Sequence, residues 1–364
     1  VKKIIIDARE SGTSTGRYVD KLIEYLAKLR PDFEIIVLTK SHRLEALREL
    51  APNFDIRAAD FQEFTFAEQL GLKKYIRRLR PDLVHFSMPQ QPIWYHHEKL
   101  TTIHDLTTAR FHNPDKNPAV FFIKQLVYRH VIKSAARKSR TVLTPTKFVK
   151  DDVIKFTGVE PDKITVTYEA ADTIGDKAEV VPGLVSKRFL LYIGRPTPHK
   201  NLERLIDAFR TLRQQHPELY LVLAGKKDRN YERIEDMVRQ GAIKGVYFTD
   251  FVSEGRLRWL YEHCAAYVFP SLSEGFGLPG LEAMIHGAPV VSSNATCLPE
   301  VYGAAAHYFD PTDTVSMADA INEVLSDKDL RRELVKKGAK QAKKYSWRRM
   351  AEQTLAAYEK ALED

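Results

Sequence analysis

Residues 273–282 read SEGFGLPGLE, so that Glu274 and Glu282, with seven residues between them, bracket three glycines, a phenylalanine and a proline. A buried loop rarely keeps two carboxylates, and a solvated loop is rarely so apolar. Backbone N–H groups of a glycine-rich turn that opens a helix favour an anion, through unpaired donors and the helix dipole. Gly275, Phe276, Gly277 and Leu278 therefore form a candidate cradle for a diphosphate. A carboxylate does not sit against phosphate, so the two glutamates must face other parts of a ligand. Carboxylates accept hydrogen bonds from vicinal hydroxyls, as on sugars and ribose. A glutamate on either side of a phosphate cradle brackets a sugar, a diphosphate and a ribose, which is the layout of a nucleotide sugar. A plainer reading stands beside it: Glu282 favours its helix N-terminus and Glu274 is a solvated turn residue.

Other stretches add chemistry. GRPTPHKN (194–201) follows the apolar run KRFLLYIG and precedes a helical pattern, placing Arg195 and Lys200 where two cations neutralise a diphosphate leaving group without a metal. SGTSTGRY (11–18) spaces its glycines four apart, so the dinucleotide fingerprint G-x-G-x-x-G is absent. Gly16 opens a helix there and is a candidate for approach to phosphate or acceptor, although glycine in such a turn is often steric. In TTIHDL, His104 ends a strand beside Asp105; it is a candidate partner for a sugar hydroxyl or a histidine satisfied by backbone. His85, in LVHFS, reads as structural. The one Asp-x-Asp, Asp327 and Asp329, lies between helical patterns, where Asp327 is a helix cap rather than a metal ligand. No metal is expected.

These loops need elements to hold them. KKIIIDA, a glycine-bearing turn, GRYVDKLIEYLAKL and FEIIVLT give strand, helix, strand; KRFLLYIG, NLERLIDAFRTLRQQ and ELYLVLAG repeat the rhythm. That order implies right-handed crossovers and parallel sheets. Further strands are expected at 82–87, 100–105, 141–146, 245–251, 266–271, 288–293 and 306–311. The fold class is therefore α/β: an N-terminal doubly wound domain over 1–172, a linker near 173–187, and a C-terminal one over 187–345. A last helical stretch, 346–364, packs back across both.

Composition bounds the partners. The chain has 364 residues, 44% hydrophobic and 29% charged, and reads as soluble and globular. It holds two cysteines without metal-ligand spacing and no bilayer-length apolar run, so a cytoplasmic setting is expected. The whole net charge of +8 lies in residues 1–170. A basic half suits an anionic partner, or only solubility. Residues 118–140 form a helix with Arg129, Lys133 and Arg137 on one line, and KKYIRRLR (73–80) is a second basic patch. Either could lean on anionic lipid at the inner face of the membrane, or be a solvated face. No base-reading motif supports nucleic acid.

Together these segments resemble the retaining glycosyltransferases of family 4, of the GT-B fold, nearly end to end. SEGFGLPGLEAMIHGAPVV is similar to the family's E-x(7)-E segment and its following G-x-P-V; YIGRPTPHKNLERLIDAF resembles its G-R…K-N segment; TIHDL and YSW (345–347) are similar to members acting in polysaccharide synthesis. The resemblance implies two Rossmann-like domains facing a central cleft, the first taking the acceptor. It implies that Glu282 holds ribose hydroxyls, Glu274 contacts the donor sugar, and Arg195 and Lys200 bind the diphosphate with amides from Phe276 to Leu278 and Gly16. His104 would touch the donor sugar. The implied reaction transfers a hexose with retention to a glycan or lipid-linked acceptor, without a cofactor. GDP-mannose is the donor the resemblance favours, with UDP-hexoses next and a nucleotide-sugar epimerase as the alternative.

Overall fold

The computed structural model describes residues 1–13, 15–63, 65–111 and 118–363. The chain divides into two units. The first holds Val1–Arg110, the described run from Pro118 to Glu169, and the chain from Ser346; the second holds Ala170–Tyr345 together with Phe111.

In the first unit seven strands form one parallel sheet: β1 (Lys3–Asp7), β2 (Glu34–Thr39), β3 (Asp55–Ala58), β4 (Leu83–Phe86), β5 (Lys99–Thr102), β6 (Thr141–Thr144) and β7 (Ile164–Val166), in the order β3-β2-β1-β4-β5-β6-β7. Ile5 pairs with both Ile36 and Val84, and all three are fully or nearly fully buried. Near-continuous apolar strands of this kind are what a sheet covered on both faces demands. The helix Arg17–Leu29 turns one stripe, including Val19, Leu22, Ile23 and Leu26, into the core. The closing helix Trp347–Glu363 packs against it. A buried bond, His85 Nδ1 to Tyr358 Oη at 2.6 Å, ties that helix to β4.

The second unit repeats the plan with six parallel strands: β8 (Arg188–Ile193), β9 (Leu219–Ala224), β10 (Val246–Asp250), β11 (Ala266–Phe269), β12 (Val290–Ser293) and β13 (Ala306–Phe309), in the order β10-β9-β8-β11-β12-β13. Leu191 pairs with Val222 on one side and Tyr267 on the other. The stretch near 173–187 folds with this unit: the Ile174 amide donates to His286 Nε2 at 3.1 Å, and Leu184 is buried.

Strand order reverses between β1 and β4 in the first sheet and between β8 and β11 in the second. Beyond the carboxyl ends of such neighbours a crevice opens between helices that leave on opposite faces, and open α/β sheets bind ligands there. In the second unit, the segments that follow β8 and β11 are GRPTPHKN and SEGFGLPGLE.

Candidate active site

The two segments meet. Lys200 Nζ donates to Glu274 Oε1 at 2.6 Å, with both side chains largely buried, although 73 residues separate them in sequence. The ammonium also lies 5.6 Å from the Phe269 ring centroid. Asn201 fixes this contact. It is buried in the left-handed region at φ 62°, and its Nδ2 donates to Pro270 O at 3.0 Å and Pro311 O at 2.7 Å. Its Oδ1 accepts from Arg204 at 2.9 Å, so the side chain pins the turn to the ends of β11 and β13. On the other side, the Glu274 amide donates to Thr296 Oγ1 at 3.1 Å. Arg195 is exposed, and among the described residues its guanidinium makes no ion pair.

The helix Leu278–Ile285 starts at Gly277, which sits at φ 89° with no side chain capping the helix. A Cβ at Gly277 would fall 2.5 Å from Tyr302 Oη, which itself donates to Gly277 O at 2.5 Å. Both the backbone conformation and the close approach require glycine. Among the described residues no acceptor meets the amides of Phe276, Gly277 or Leu278. Phe276 is buried edge-on against Tyr345, their centroids 5.4 Å apart, and Gly275 is buried beside Glu274. Glu282 is 6% exposed, and its Oε2 accepts from Tyr261 Oη at 3.0 Å. Cys297 donates to Glu274 O at 3.3 Å; burial pushes its thiol far up, which makes it inert as a nucleophile.

In the first unit, Gly16 stands before the helix Arg17–Leu29, and a Cβ there would fall 1.8 Å from Glu10 O. Its amide donates to Thr13 Oγ1 at 3.0 Å. Packing of the turn therefore accounts for this glycine. His104 follows β5 with both ring nitrogens engaged: Nδ1 is 3.0 Å from Glu169 Oε1 and Nε2 is 3.1 Å from Ser87 O. Both partners are oxygens that accept, an arrangement that suits the doubly protonated ring. Burial pulls its pKa down, but the Glu169 hydrogen bond and charge outweigh that and raise it. His85 is the opposite case: buried between Tyr358 and Thr102, its pKa falls to about 3.

Several groups at these strand ends escaped the reading of the sequence. Asn201 was visible only as part of K-N, and its reach to two distant carbonyls has no local signal. Neither has the pairing of Glu169 with His104. Arg9, almost fully buried at the end of β1, forks onto Asp7 at 2.8 Å and Glu68 at 3.0 Å. A lone arginine after a strand gives no hint of that clasp. Of the basic line, Arg129 and Arg137 are exposed and Lys133 is half-buried. Arg129 and Lys133 lie over the Phe156 ring, and Arg137 donates to Thr157 O at 3.1 Å. Asp327 caps the helix Lys328–Ala342 through the amides of Asp329 and Leu330.

Known proteins resemble this chain in sequence and fold. The family model for group 1 glycosyl transferases matches residues 177–341, and that for glycosyltransferase family 4 matches residues 15–174. The chain belongs to the glycosyltransferases of family 4. The O-antigen chain mannosyltransferase B of Escherichia coli is 28% identical to this glycosyltransferase, over 95% of this chain and 96% of its own. The O-antigen chain mannosyltransferase RfbU of Salmonella typhimurium is 26% identical, over 86% and 88%. Among solved structures, HepE of Anabaena in complex with UDP and glucose superposes with a TM-score of 0.76 at 17% identity, covering 99% of this chain and 100% of that one. Sucrose-phosphate synthase of Thermosynechococcus elongatus gives 0.77 at 18%, covering 99% of each. These likenesses establish the GT-B fold of the glycosyltransferase, two Rossmann-like units of seven and six parallel strands.

Proposed function

We propose that the protein transfers mannose from GDP-mannose, with retention at the anomeric carbon, to a glycan or lipid-linked acceptor. The observation that carries this reading is the Lys200–Glu274 pair at the switch point of the second sheet, beside the uncapped helix start at Gly277. A cation, amides without an acceptor among the described residues and a carboxylate stand there, groups that suit a diphosphate and a sugar. Negative charge grows on the departing diphosphate in the transition state, so Lys200, Arg195 and the amides of Phe276 to Leu278 lower the barrier without reorganising. Glu274 accepts from the sugar hydroxyls, and Glu282 from the ribose. A leaving phosphate oxygen takes the acceptor's proton on the same face, so no separate base is needed. Mannose is favoured because the relatives named above are mannosyltransferases; the HepE complex, with UDP and glucose, motivates the UDP-hexose alternative.

The decisive experiment incubates the protein with GDP-mannose, UDP-glucose and UDP-galactose against a lipid-linked saccharide and reads the new linkage by NMR. An α-mannoside from GDP-mannose is expected; an inverted linkage overturns the mechanism, and turnover with UDP-hexoses alone overturns the donor. Turnover should be undiminished in excess chelator, since side-chain cations supply the neutralising charge. For the acceptor, we propose that the first unit meets an anionic membrane through the helix Pro118–Lys138, where Phe122, Leu126 and Val127 are exposed beside the exposed Arg129. Loss of vesicle binding in Phe122→Ser/Leu126→Ser is the expected result, and unchanged binding would remove this contact.

A further inference from the structure

Glu282 sits in the first helix of the site at 6% exposure, a position where a carboxylate needs a donor to hold its rotation. That donor is on another helix. Tyr261, fully buried in Glu254–His263, gives its hydroxyl proton to Glu282 Oε2 at 3.0 Å, and the same hydroxyl lies 3.3 Å from Pro279 O. The phenol ring is braced as well. His286 stacks on it with centroids 5.9 Å apart and planes 6° off parallel. His286 is in turn held by the Ile174 amide, which donates to its Nε2 at 3.1 Å. Burial lowers the pKa of His286, keeping that nitrogen an acceptor.

We infer that Tyr261 is the positioning residue for ribose recognition: its hydroxyl fixes the plane of the Glu282 carboxylate so that it can accept from a vicinal diol. This rests on the ribose reading of Glu282 given above. Two hydroxyls on adjacent ring carbons present their protons along nearly parallel directions, so an acceptor carboxylate loses most of its advantage if it rotates. A tyrosine that only filled space would support every nucleotide equally. One that orients Glu282 matters only when the diol is present.

The test compares two probes on the full chain by titration calorimetry: GDP and its 2′,3′-dideoxy form, or the UDP pair should UDP bind tighter. Wild type is expected to prefer the ribo form by about 10- to 100-fold, the range of a hydrogen bond to a charged group. In Y261F that preference should fall to about threefold or less, while the dideoxy form binds within about twofold of wild type. In an E282Q background, Y261F should add no further loss of preference. If wild type shows no preference, the ribose reading of Glu282 fails before Tyr261 is tested. If wild type prefers ribose and Y261F keeps the full preference, or weakens both probes equally, the positioning inference is overturned. Should Y261F not fold, H286A, which removes the ring stacked on Tyr261, is read instead. A drop of at least about threefold in preference is expected, and an unchanged preference overturns the inference.

Discussion

Lys200 and Glu274 form a pair whose worth depends on what else arrives. Alone, a partly buried ion pair roughly offsets the cost of its own desolvation. Its catalytic value comes from holding an ammonium still where charge will develop. Lys200→Met and Glu274→Gln are each expected to lower kcat/KM by about 10² to 10³-fold, and the double variant by little more than the worse single one. Multiplicative losses in steady-state kinetics would mean that the two act independently. Asn201 makes the pair possible, and two substitutions separate its roles. Asn201→Gly keeps the left-handed turn but strands the Pro270 and Pro311 carbonyls, costing about 1–3 kcal/mol. Asn201→Ala adds about 1–2 kcal/mol of backbone strain. Thermal denaturation should rank wild type above Gly above Ala; equal midpoints for all three would show that the turn is held by something else.

At the scale of elements, the strand-to-helix turns set both glycines and histidines. Gly16→Ala drives a Cβ into the Glu10 carbonyl, which is backbone and cannot swing aside, so a loss of about 1–3 kcal/mol is expected. An unperturbed midpoint would mean that the turn 10–16 shifts freely. The two strand-end histidines of the first unit respond to pH with opposite sign. His104 has a raised pKa, so the stability it gains from Glu169 is fully present below its ordinary value near 6.5 and is lost as pH rises through its folded value. His85, held to about 3, contributes stability above 6.5 that is lost as pH falls toward 3. Proton-detected titration of the two rings should show His104 titrating above and His85 far below 6.5, and Glu169→Gln should lower the His104 value. Two rings titrating together near 6.5 would contradict the geometry.

Over the whole molecule, charge and ligand chemistry are divided between the units. The excess of positive charge belongs to residues 1–170, while the candidate donor site lies in the balanced remainder. Ligand binding stabilises whatever binds it, by about 2.7 kcal/mol at a hundredfold excess over Kd. With two units a single unfolding midpoint is not assured, so the effect is best followed locally. Hydrogen exchange with saturating GDP should show new protection over 194–201 and 273–282 and none over the helix Pro118–Lys138. Protection confined to the first unit would move the nucleotide site there. The sheet cores were legible in the sequence because parallel strands buried on both faces must be apolar throughout, as KIIID and RFLLYI are. Short edge strands such as Ile164–Val166 carry too few residues to show a period, and the helix Lys73–Leu79 read only as charge.

The chain's linear pattern determined the two α/β units and the loops that follow their strands. It also marked Glu274, Glu282, Arg195 and Lys200 as the groups to watch, because strand period, glycine punctuation and charge type are local properties. Tertiary structure alone decided that Lys200 reaches Glu274 and that Tyr261 holds Glu282. It likewise decided that Asn201 ties two strand ends, and that Arg129 and Lys133 of the helix Pro118–Lys138 lie over Phe156. Each of these is a contact between segments from about 20 to 110 residues apart. Such contacts are set by strand order and packing, and no window along the sequence contains both partners.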